Sequence, residues 1–148
     1  MKLAEALIRK AAVDKLIPAR FNTWFSCPRS ISSFKDPDVL LKEFNDLLIE
    51  QEDLIKRINR TNCRPGPSGK KPMDLIARKE SLTLKIMVLR DLYNAAQIDA
   101  SRYSNKEIRL ISTIDPKSIQ KQIDHLSREL RETIVELQKL NWETDLLP

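Results

Sequence analysis

Between Pro116 and Asn141, apolar residues stand at Ile119, Ile123, Leu126, Leu130, Leu137 and Leu140. The steps alternate between four and three, with Thr133 the one polar position in the series. This is the a/d seam of a heptad repeat, sustained over three heptads. At roughly 1.5 Å per residue the pattern predicts a helix about 37 Å long. A seam of that length cannot be left in water, so it requires at least one further long helix beside it.

Three other stretches supply candidates. Leu3, Leu7, Val13 and Ile17 share one face with Ala6, and Phe21, Trp24 and Phe25 follow at i, i+3, i+4. Together they predict a helix over about 2–25, kinked at Pro18, which has no N–H and crowds the carbonyl of Asp14. The aromatic trio reads as core. Pro28, the serines and Phe34 make 26–36 a linker. Asp36-Pro37 then reads as an N-cap followed by a first helical residue. The helix over 37–59 carries Leu40, Phe44, Leu47, Leu54 and Ile58, with Gln51 the polar entry, and a second track of Leu41, Leu48 and Ile55. The helix over 72–100 carries Leu75, Leu82, Ile86, Leu89, Tyr93 and Ala96, and a second track of Leu84, Val88, Leu92 and Ala95. A helix with two tracks touches more than one neighbour, so this third helix is expected to be the most enclosed. Asp115-Pro116 repeats the cap and opens the helix over 116–141.

The fold class is therefore mainly α: an antiparallel long-helix bundle or coiled-coil hairpin forming one helical domain over 1–148. A small β element is expected near 61–72 and 106–114, where breakers flank Ile108, Leu110, Thr113 and Ile114. The chain's 148 residues fit one domain, and its two glycines, Gly66 and Gly69, fall in one loop.

Candidate chemistry is sparse. His125, the lone histidine, takes an outward position beside the seam and lacks the pocket that a general base needs. Glu50, Glu52 and Asp53 are too close in sequence to converge on one metal from one helix face, and read as solvated. There is no glycine-rich phosphate loop, nucleophile elbow or His-Glu metal motif. No catalytic, cofactor-binding or metal-ligating residue is expected, and no enzyme activity. Cys27 and Cys63 read as two reduced thiols in a cytoplasmic protein. No run of 18 apolar residues offers a membrane span. Glu5, Arg9 and Lys10 interrupt what a signal peptide would need as an apolar core.

Charge adds one feature. Lys56, Arg57, Arg60, Arg64, Lys70, Lys71, Arg78 and Lys79 face only Asp74, a net +7 within 56–79 against +5 for the whole chain. Two antiparallel helices joined by this loop would carry that charge at one tip. The candidate polyanion-binding residues are Arg57, Arg60, Arg64, Lys70, Lys71, Arg78 and Lys79. No aromatic lies among them to stack on bases.

Four pieces of the sequence, MKLAEALI at 1–8, INRTN at 58–62, RYSNKEI at 102–108 and LNWETDL at 140–146, resemble a bacterial family of uncharacterised proteins labelled septicolysin. The resemblance covers most of the chain and weakens over 18–36 and 63–72. It implies a helical, soluble, self-associating protein and supplies no catalytic residues. The polar residues of INRTN and LNWETDL (Asn59, Arg60, Asn62, Asn141 and Trp142) are expected to cap helices and close the packing between them.

The expected function is that of a non-enzymatic structural or interaction protein acting as a homo-oligomer through helix–helix contacts. A polyanion or nucleic-acid-binding module using the basic tip is the alternative. A cytolysin, as the family label suggests, is the third reading.

Overall fold

Each of the four patterned stretches forms a helix. The structure, a computed structural model, describes residues 1–26, 37–102 and 115–148, without the side chains of 23–26, 37 and 97–102. Of the linker expected at 26–36, Ser26 ends α1; the rest of it, with Asp36, and the expectation for 106–114 lie outside the described residues. The helices are α1 (Leu3–Ser26), α2 (Pro37–Asn62), α3 (Pro72–Arg102) and α4 (Pro116–Glu143). The fold is all-α, as the periodicity predicts. Among the described residues there is no strand, so the β element expected at 61–72 is corrected. Thr61 and Asn62 end α2, Pro72 opens α3, and 63–71 between them is a turn region, in which the Gly69 N–H donates to the Gly66 carbonyl at 2.9 Å and Gly69 sits at φ 75°. Pro65, Pro67 and Pro72 leave the segment too few donors for a ladder. Among the described residues, an isolated antiparallel bridge between Lys2 and Asp145 is the one strand-like contact.

The described residues form two compact units, one of Met1–Pro72 with Lys139–Pro148, the other of Met73–Gln138. In the first, α1 runs through Pro18 rather than ending there. It packs antiparallel to α2: Arg9 Nη2 donates to Glu50 Oε2 at 2.9 Å, Gln51 Nε2 donates to Asp14 Oδ1 at 2.6 Å, and Arg20 Nη1 lies 3.2 Å from Glu43 Oε2. Between the Arg9–Glu50 and Arg20–Glu43 pairs, residue numbers rise along α1 as they fall along α2. The core joins Leu3, Ala6, Val13, Leu54, Ile58 and Leu146, with Leu7, Ile17 and Leu47 packed against it. These are the face read from the α1 pattern and the first α2 track. Phe21, expected in the core, is 47% exposed. It lines a small apolar cavity with Leu40, Leu41 and Phe44. Trp24 and Phe25 lie outside the described side chains.

In the second unit, Leu82 and Ile86 of α3 pack on Ile119, Ile123 and Leu126 of α4, with Leu89, Tyr93 and Leu130 against them. The break in the seam is also explained: Thr133 is buried, and its hydroxyl donates to the Glu129 carbonyl at 2.9 Å, so the polar atom is satisfied within its own helix. Asp115 caps α4, its Oδ1 accepting the Lys117 N–H at 3.0 Å.

The expectation that α3 is the most enclosed helix is corrected. Leu84 is 57%, Met87 53% and Val88 54% exposed. At 100° per residue, Leu84 and Val88 sit about 200–240° round the helix from Leu82. The two α3 tracks thus lie on opposite sides, and α4 covers one of them. The second α2 track is likewise open at Leu41 and Leu48 and half-buried at Ile55.

Candidate functional site

Three of the sequence motifs singled out above meet in the first unit. Residues 140–146 end α4 and begin an extended tail, residues 58–62 end α2, and residues 1–8 open α1. The Leu3 N–H donates to the Thr144 carbonyl at 2.9 Å, and the Leu146 N–H donates to the Met1 carbonyl at 2.9 Å. Lys2 Nζ reaches Asp145 Oδ1 at 2.8 Å and donates to the Glu143 carbonyl at 3.3 Å. That ion pair holds the Asp145 carboxyl below its ordinary range, through the hydrogen bond from Lys2 first and its charge second.

From the α2 side, Thr61 is 1% exposed. Its hydroxyl donates to the Arg57 carbonyl at 2.8 Å and accepts the Leu147 N–H at 3.0 Å. Arg57 Nε donates to the Leu147 carbonyl at 3.0 Å, and Arg60 Nη1 to the Pro148 carbonyl at 3.1 Å. Leu146 is buried in the core with Leu3, Ala6 and Leu54. Gly66 passes so close that a Cβ there would lie 2.5 Å from Leu140 Cδ1 and 2.9 Å from Thr144 Oγ1. An open cleft beside the tail is lined by Asn59, Arg60, Cys63, Arg64, Leu147 and Pro148.

This arrangement divides the predicted basic residues. Arg57, Arg60, Arg64, Lys70 and Lys71 belong to the first unit, Arg78 and Lys79 to the second. Arg57 is engaged by the tail and by Asp53, 3.4 Å away. Arg60 does not cap α2; it holds the tail. Arg78 pairs with Glu129 at 2.6 Å. Among the described residues, Arg64 and Lys71 are exposed and have no side-chain partner. Asn141 is buried as expected of a packing residue, whereas Trp142 is 52% exposed. Thr61 and Thr144 were not singled out from the sequence. A threonine three residues into a polar run carries no periodic signal, and only the paired position of the tail reveals it. His125 is exposed, and among the described residues no group of three or more His, Cys, Asp or Glu is placed to hold a metal ion. No described helix is long and apolar enough to cross a membrane.

Comparison with known proteins places the chain without assigning it an activity. A crystal structure of a functionally unknown conserved protein from Corynebacterium diphtheriae is similar to it at 28% sequence identity and a TM-score of 0.82, over 99% of each chain. No curated protein matches. A family of unknown function, DUF6847, matches residues 31–146, which include three of the four motifs quoted above. Neither match carries the septicolysin label. The matched residues make up most of the chain, and the protein belongs to DUF6847, a family of unknown function.

Proposed function

We propose that the protein is a non-enzymatic interaction protein that works as a homo-oligomer built by helix–helix contacts, with α3 supplying the surface. The observation that carries this reading is the row Leu84, Met87 and Val88, each more than half exposed on the side of α3 turned away from Leu82 and Ile86. Removing such side chains from water is worth about 1.5–3 kcal/mol each, and contiguous apolar surface on a small domain marks an interaction site. Cys63, an exposed free thiol, fits the reducing compartment of the cytoplasm. Light scattering at micromolar concentration tests the reading. The wild type should exceed 17.2 kDa, and Leu84→Glu with Val88→Glu should return it to that mass without lowering the melt. A monodisperse 17.2 kDa wild type overturns it.

The basic tip supports a second reading, a polyanion-binding module, because Arg64 and Lys71 are exposed and unpaired among the described residues. Arg57, Arg60 and Arg78 have internal partners, so fewer charges are available than the sequence count suggests. Binding of duplex DNA or RNA should be insensitive to sequence and weaken steeply with salt. Changing Arg64, Lys70 and Lys71 together to Gln should flatten that slope in fluorescence anisotropy. Absence of binding at about 10 µM protein in low salt removes the reading. The cytolysin reading has no supporting observation among the described residues.

A further inference from the structure

We propose that the outer face of α3 is a two-fold seam that pairs antiparallel with the same helix of a second copy, in a register chosen by Ser81, Lys85 and Asp91. This rests on the self-association reading and adds to it the orientation, the register and the residues that select them.

On the side of α3 away from α4, Ala77, Ser81, Leu84, Val88, Asp91 and Ala95 follow one another in steps of four, three, four, three and four. At 100° per residue they occupy a strip about 80° wide, and all six are exposed. This is a second heptad seam on one helix, and the chain's own described residues leave it uncovered. Three polar groups on or beside the strip share that state. The side chains of Ser81, Lys85 and Asp91 make no hydrogen bond or ion pair among the described residues.

Set against a reversed copy of itself, the strip is complementary position by position. Ala77 faces the partner's Ala95, and Leu84 faces the partner's Val88. Asp91 faces the partner's Ser81, with the partner's Lys85 one turn further along. A two-fold axis between the two Leu84–Val88 contacts repeats each of these, as isologous pairing requires. The neighbouring arrangements lose the match. Parallel pairing in register sets Asp91 against the partner's Asp91. An antiparallel slip of one heptad sets Asp91 against the partner's Asp74 in one direction and against the partner's Val88 in the other. A polar residue in a heptad seam selects orientation and register by what it can pair with, and the carboxylate of Asp91 finds a hydroxyl and a cation in the one arrangement alone.

Cross-linking reads the orientation. The full chain with Cys27→Ser and Cys63→Ser would carry Ala77→Cys in one population and Ala95→Cys, isotope-labelled, in the other. Mixed at micromolar concentration under mild oxidation and read by mass spectrometry, they should give the mixed disulfide dimer well above the like pairs. The two positions lie about 27 Å apart along one helix, far beyond the reach of a disulfide, so no chain can close on itself. Light scattering on the same cysteine-free background separates the two ideas. If the protein exceeds 17.2 kDa but like pairs prevail, pairing is random or no disulfide forms, the antiparallel seam is overturned and self-association stands. A monodisperse 17.2 kDa species removes both. The register has its own readout. Asp91→Lys sets a lysine beside the partner's Lys85 and should weaken association about tenfold or more; association unchanged in that variant takes Asp91 out of the seam and overturns the register.

Discussion

One hydroxyl joins Thr61 to Leu147 across 86 residues of sequence, accepting the Leu147 N–H while donating to the carbonyl of Arg57. The oxygen is buried, so its removal strands the Leu147 N–H. Thr61→Val, which keeps the shape, should cost about 1–3 kcal/mol. Thr61→Ser, which keeps the hydroxyl and drops a methyl, should cost about 1 kcal/mol or less. Urea unfolding of the two variants checks this; equal losses would mean that packing, rather than the hydroxyl, matters at this position.

Gly66→Ala should destabilise by about 1–3 kcal/mol through overpacking, because the added carbon meets Leu140, itself only 3% exposed. Gly69→Ala meets nothing within 4 Å and suffers only the strain of φ 75°, about 1 kcal/mol. Thermal melts should therefore rank Gly66→Ala below Gly69→Ala.

On α4, Ile123→Ala should cost about 2–5 kcal/mol, since Ile123 is 5% exposed in the α3–α4 core. His125→Ala, two residues along on the open face, should stay within about 0.5 kcal/mol. A melt of the two variants tests the heptad register directly; the reverse order would break it.

Acid should weaken the α1–α2 pair. The carboxyls of Asp14 and Glu50 are held below their ordinary range, Asp14 by hydrogen bonds from Lys10 and then Gln51, Glu50 by the hydrogen bond from Arg9. A carboxyl depressed in the folded state stabilises fully above its unfolded pKa, near 4, and loses that contribution as pH falls through the folded value. The melting temperature should hold from pH 7 to about 5 and fall below about 4. Glu50→Gln should lower it at pH 7 and narrow the difference between neutral and acid. A fall unchanged in that variant would place the acid sensitivity elsewhere.

What the sequence makes legible follows from what repeats. The α4 seam, the first α2 track and the buried α3 stripe recur at helical spacing, and Ile119, Leu54 and Ile86 are buried where that spacing puts them. The second α3 track repeats just as well, yet Leu84 and Val88 are exposed, because periodicity reports which residues share a face and not whether a neighbour covers it. The tail contacts are legible only as resemblance. Arg57 and Arg60 read as phosphate-facing charges because their actual partners, the carbonyls of Leu147 and Pro148, lie about ninety residues away and have no side-chain signature.

The first unit draws on both ends of the chain, with Leu3 and Leu146 in one cluster. During synthesis, which runs from N- to C-terminus, α1 and α2 emerge before the tail and can pair, but their core lacks Leu146, and the Thr61 hydroxyl has no Leu147 N–H to accept, until residues 146 and 147 arrive. The second unit, continuous from Met73 to Gln138, has no such wait. Residues 73–138 can thus complete their unit on the ribosome before the unit that holds residues 1–72 is complete.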